Sequence, residues 1–143
     1  MAEESFQNII QEPAVAYKAT GSRLDLVSLS RKGLHKQALI NLGDALQLSL
    51  KELASLLPVT ERTLQRRGPD GLLSPSVSEQ IILIAEVTAK GREVFGTLEN
   101  FRKWLKEKNI GLGGHSPLNL LDTAIGVQLV EEELGKLEYG VYS

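Results

Sequence analysis

The chain has 143 residues, 42% hydrophobic and 24% charged content and a formal net charge of -2, enough for one domain or two small ones with a real core and unlike a disordered chain. Cysteine is absent, which excludes disulfides, thiolate metal sites and cysteine nucleophiles together. The longest apolar run, Ile81 to Ala85, is too short to span a bilayer, and Glu3 and Glu4 stand where a signal peptide would be positive, so a cytoplasmic protein without membrane contact is expected.

Apolar residues recur at helical rather than alternating spacing, and the expected fold class is all-α. Leu34, Ala38 and Leu42 mark one face of a helix after Gly33. Leu50, Leu53, Ala54 and Leu57 mark the next, with Ser49 as its N-cap. A longer helix is expected to begin near Ser76 or Ser78, lined by Val77, Ile81, Ile84, Ala85, Thr88 and Phe95 and weakened late by Gly91. Phe101, Trp104 and Leu105 share a face of a short helix. Ser116 and Pro117 supply a cap and a first-turn proline for a turn or two through Leu121. Val127, Val130, Leu134 and Leu137 form the stripe of the last helix, which leaves Glu131, Glu132 and Glu133 on a solvated face. Breaks fall at Gly68 to Gly71 and at Gly111 to Gly114.

The charge is unevenly placed. Residues 18–68 carry nine Lys/Arg against four acids, and residues 69–143 carry seven against eleven. A basic segment joined to an acidic one is what two different partners would require, although charge also varies along chains that have none. Within the basic segment, "SLKELASLLPVTERTLQRRG", Ser49 to Gly68, has the layout of a helix-turn-helix. Ala54 permits close helix approach, Pro58 stops the first helix, Val59 plugs the turn, Thr60 caps the second helix and Leu64 packs inward. Glu61, Arg62, Gln65 and Arg66 then face outward, with Lys51, Thr60, Thr63 and Arg67 beside them. Such residues can read base edges and hold phosphates. The stretch resembles the helix-turn-helix of the Xre/phage-repressor group, with Pro58 in place of the usual turn glycine and Arg67 in place of a second inward aliphatic.

The remainder carries a further resemblance. "GREVFG", "FRKWL" and "NIGLGGHSPLNLLDTAIGVQLVEEELGKLEYGVYS", together with "RKGL" and "TLQRR" upstream, are similar to the Xre/MbcA/ParS antitoxin family over about residues 24–143. The resemblance implies a partner, a RES-domain toxin that consumes NAD, and an antitoxin that blocks that toxin's active site and represses its own operon by binding operator DNA. The segment Glu138, Tyr139, Gly140, Val141, Tyr142 and Ser143 is then expected to bind the toxin. Its tyrosines supply contact area with few rotamers to freeze, its glycine allows a bend, and a carboxylate at Ser143 can meet a phosphate-binding cation. Without the resemblance, the same tyrosines read as a cap docked on their own core.

Catalysis is not expected, and neither is a cofactor or a metal. Gly111 to Gly114 has no preceding strand and no following Gly-Lys-Ser/Thr. His115 and Ser116 are adjacent on a turn where Ser116 is already explained as a cap, and Trp104 reads as core. The expected organisation is an extension over 1–20, a helix-turn-helix domain over 21–68 and a toxin-binding domain over 69–143. A homodimer is expected, because one helix-turn-helix reads too few bases. Two alternatives are a transcriptional regulator whose C-terminal half senses a small molecule, and an interaction module that does not bind DNA.

Overall fold

The computed structural model of the chain describes Ile9 and residues 23–68 and 70–140. Within these residues the chain forms α1 (Arg23–Lys32), α2 (Lys36–Leu46), α3 (Leu50–Ser55), α4 (Glu61–Arg66), α5 (Pro75–Phe95), α6 (Leu98–Lys106), two 3-10 turns (Ile110–Leu112 and Pro117–Leu120) and α7 (Ala124–Glu138). The all-α class follows, and the one extended pairing among the described residues is an isolated bridge between His35 and Leu72.

Hydroxyl side chains start most of these elements. Ser49, Thr60, Ser74, Thr97, Ser116 and Thr123 each accept the backbone N–H three residues on, satisfying a donor that the first helical turn leaves open. At Ser49 the arrangement is reciprocal: the Glu52 carboxylate accepts from the Ser49 N–H at 2.9 Å, a complete capping box.

Several local expectations are corrected. Helix α5 starts at Pro75 under a Ser74 cap, not at Ser76 or Ser78, because proline is pre-shaped for the first helical position and lacks the N–H that would be orphaned there. Ser78 lies buried inside the helix, where its hydroxyl accepts the Leu34 N–H at 2.9 Å. Helix α3 ends at Ser55, ahead of Pro58, as Leu56 and Leu57 turn into the core. Gly91 does not interrupt α5, which runs unbroken from Pro75 to Phe95. A Cβ at Gly91 would collide with the Phe101 ring, so the glycine lets α6 approach, and that packing outweighs a propensity cost of about 1 kcal/mol. Glu133 is 3% exposed, not solvated, since the core wraps further round α7 than its stripe of aliphatics indicates. Its carboxylate lies 3.6 Å from the Lys136 ammonium. Leu137, expected in the stripe, is only half-buried, as is Phe95.

Helix α5 is the spine, about 30 Å long, and α1, α6 and α7 make their most extensive packing against it. Its buried face presents Val77, Ile81, Ile84, Ala85 and Thr88, and each large aliphatic fully buried there contributes about 1.5–3 kcal/mol. Helix α1 docks through Leu26 and Leu29. Ile9 joins the same core. Phe95, Phe101 and Trp104 form a ring cluster at the α5–α6 corner with centroids 5.6–6.3 Å apart.

Polar links tie the two halves together. The Arg102 guanidinium donates to the Ala45 carbonyl at 2.8 Å, joining α6 to the end of α2. The buried Gln80 amide donates to the Leu121 carbonyl at 2.7 Å and fixes the approach to α7. Arg23 and Glu86 pair at 3.0 Å between α1 and α5. Burial pushes the Glu86 carboxyl above the usual carboxylate range, against the Arg23 charge that favours ionisation, and Glu131 adds to the rise.

Candidate functional site

Helices α3 and α4 are joined by a short turn and pack on each other through their inner residues. Leu53 and Ala54 of α3 and Leu64 of α4 are buried. Gly43 of α2 admits α3: a Cβ there would lie 2.8 Å from the Leu53 side chain and 3.2 Å from the Leu48 carbonyl. Val59 is half-buried in the turn and packs on the core. Thr60 caps α4 by accepting the Thr63 N–H at 3.1 Å, and the two hydroxyls pair at 2.9 Å.

With Leu64 inward, Arg62, Thr63, Gln65 and Arg66 stand exposed along α4, Thr60 is exposed at its start and Lys51 is exposed in the first turn of α3. Glu61 is half-buried, and its carboxylate accepts from the Gln65 amide at 3.4 Å. Arg67 has a different setting. Its guanidinium donates to the Leu72 carbonyl at 2.5 Å and its own carbonyl accepts from the Lys36 ammonium at 2.7 Å. Lys36 N–H also donates to the Gly71 carbonyl at 3.0 Å. Arg67 therefore clasps the end of α4 to the loop that leads into α5. Gly33 completes this clasp, since its φ of +95° is glycine territory and a Cβ would strike the Leu73 carbonyl.

The second candidate surface lies at the far end of α7. Glu138 is exposed in the last turn, Tyr139 caps the helix with its N–H donating to the Gly135 carbonyl at 3.1 Å, and the Gly140 N–H donates to the Leu137 carbonyl at 3.3 Å. The Tyr139 side chain is 81% exposed and does not rest on the core. Gly140 follows with φ +67°. Val141, Tyr142 and Ser143 lie outside the described residues.

The neighbouring connection, Asn109 to His115, closes on itself. Asn109 N–H donates to the His115 carbonyl at 3.0 Å, Gly114 N–H to the Asn109 carbonyl at 2.9 Å and Gly113 N–H to the Ile110 carbonyl at 3.1 Å. Ser116 acts as a cap, accepting the Asn119 N–H. Nothing in the sequence singles out Ile110, which the loop carries 96% exposed at its tip. Among the described residues no group of three His, Cys, Asp or Glu is placed to hold a metal ion, and no helix is long and apolar enough to cross a membrane.

Fold and surfaces together define a helix-turn-helix protein that carries a second helical domain on a shared spine. The antitoxin Xre-like helix-turn-helix domain matches residues 25–86, and the antitoxin Xre/MbcA/ParS C-terminal toxin-binding domain matches residues 90–140. The chain thus carries both domains of Xre/MbcA/ParS-type antitoxins. It is 25% identical over 143 residues to the Prs ADP-ribosylating antitoxin of a Sphingobium species, covering 92% of this chain and 90% of that protein. It is 35% identical over 80 residues to Antitoxin Xre of Yersinia enterocolitica, covering 55% of this chain and 54% of that one. The protein is thus an antitoxin of this type with a helix-turn-helix domain, which implies a cognate toxin and DNA as partners. The two matches meet within α5 rather than at the Gly68 to Gly71 break, so one helix serves both.

Proposed function

We propose that this antitoxin neutralises a RES-domain toxin that degrades NAD, and that residues Glu138 to Ser143 do so by entering the toxin's nucleotide cleft. The observation that carries this reading is the exposed Tyr139 followed by left-handed Gly140 at the end of α7. Docking Tyr139 on its own core would gain burial, and instead the helix ends by offering the ring to a partner. The name of the Sphingobium relative, an antitoxin connected with ADP-ribosylation, is compatible with a toxin that uses NAD. The antitoxin itself acts by binding rather than by catalysis.

The same chain represses its own operon through Lys51, Thr60, Glu61, Arg62, Thr63, Gln65 and Arg66, with Arg67 shaping the end of the recognition helix. It binds as a homodimer, since pairing doubles the bases read. A small-molecule sensor would call for a large apolar pocket with convergent polar groups; three clefts among the described residues, beside α5 and beneath Ile110, are open grooves of about 370, 550 and 390 Å³.

The test is NAD consumption by the product of the neighbouring gene, purified alone, with the full chain, and with a chain lacking Tyr139 to Ser143. Inhibition by the full chain and none by the truncated one is expected. Equal inhibition by both would overturn the tail mechanism, and a partner that consumes no NAD would overturn the RES assignment.

A further inference from the structure

Ile110 is the most exposed of the large apolar side chains described, at 96%. A lone surface isoleucine needs no explanation, but three features set this one apart. The loop that carries it is cross-bonded through Asn109, Ile110, Gly113, Gly114 and His115, so the side chain is presented by a closed, hydrogen-bonded frame. It overhangs a groove of about 390 Å³ lined by Trp104, Lys108 and Leu137, in which the half-buried indole and the half-buried leucine offer apolar wall that the protein's own core leaves uncovered. Leu137 then leads within two residues to exposed Tyr139, from which the proposed inhibitory tail departs.

We propose that Ile110 and the Trp104–Leu137 groove form a second toxin-docking surface, which grips an apolar patch on the rim of the cleft that the tail enters. Continuity argues for the toxin as occupant: Trp104, Ile110, Leu137 and Tyr139 all fall within the toxin-binding domain matched over residues 90–140. A tail alone must freeze many backbone torsions on binding, whereas a rigid anchor beside it adds buried apolar area at little entropic cost. The anchor raises affinity and aligns the tail; the tail blocks chemistry. This division of labour rests on the tail reading above.

The two are separable by measuring toxin affinity and residual NAD consumption independently. The probe is the purified product of the neighbouring gene, titrated with the full chain, Ile110→Ala, Ile110→Asp, the chain lacking Tyr139 to Ser143, and Ile125→Ala. Ile125 is also exposed, at 72%, but lies in the first turn of α7, at its other end. Thermal melting confirms that each variant folds, as substitution of so exposed a side chain should allow. Ile110→Ala is expected to weaken binding about tenfold or more, with Ile110→Asp weaker still and Ile125→Ala unchanged. The Ile110 variants should still inhibit fully at saturation, whereas the truncated chain should bind and fail to inhibit. Unchanged affinity in both Ile110 variants would overturn the anchor whatever the tail does. A truncated chain that inhibits would overturn the tail reading alone. Sedimentation of the antitoxin by itself completes the set: if Ile110→Asp dissociates a dimer while toxin affinity holds, the surface belongs to a second copy and the proposal fails.

Discussion

Single residues carry the tolerances on which the antitoxin depends. Gly91 is required because the Phe101 ring occupies the space of its missing Cβ. Gly91→Ala should lower stability by about 1–3 kcal/mol in urea unfolding, the usual cost of overpacking, even though alanine is the better helix former. A stabilised variant would show that α6 moves freely. Glu86 makes a pH prediction. Its folded carboxyl is raised above its unfolded counterpart by burial, so the folded chain holds the proton to higher pH than the unfolded chain. The associated stability is fully present below the unfolded value and is lost as pH rises through the folded one. Glu86→Gln retains an acceptor for Arg23 and removes that loss. Its melting temperature relative to the parent should therefore rise from about pH 4 to pH 7; a fall over that interval would mean that the Arg23 pair outweighs burial.

At the scale of elements, α4 is a six-residue helix held by Thr60 at its start, Leu64 in its middle and the Arg67 clasp at its end. Its exposed residues contribute little to stability and are the ones proposed to read DNA. Replacing Arg62 and Arg66 together by alanine should leave the unfolding free energy within about 0.5 kcal/mol of the parent and weaken operator binding by about 1–3 kcal/mol for each arginine that reads a base. A gel-shift titration with unchanged affinity would remove α4 as the recognition helix. Much of this element is legible in the sequence, because a cap, an inward leucine and outward basic residues are local features. The clasp is not legible: Lys36, Arg67 and Leu72 meet only because the loop before α5 folds back on α2.

For the whole molecule, the helix-turn-helix domain and the toxin-binding domain share one spine, α5, and are bridged by the Arg102 and Gln80 hydrogen bonds. Their activities should nonetheless separate. Tyr139 stands off the core, so on deletion of Tyr139 to Ser143 melting temperature and operator affinity are expected to match the parent while neutralisation is lost. A truncated chain with weakened operator binding would show that the tail also supports the helix-turn-helix. Helical periodicity was enough to determine the all-α class, the stripes through Leu34, Leu50, Val77 and Val127, the cap at Ser49 and the outward face of α4, because each depends on residues a few positions apart. Tertiary structure alone decided that Glu133 is buried, that Gly91 makes room for a ring rather than interrupting a helix, that Ser78 serves Leu34, and that Ile110 stands clear above an apolar groove. Periodicity tells which residues share a face, whereas which face is covered depends on partners far away in the chain.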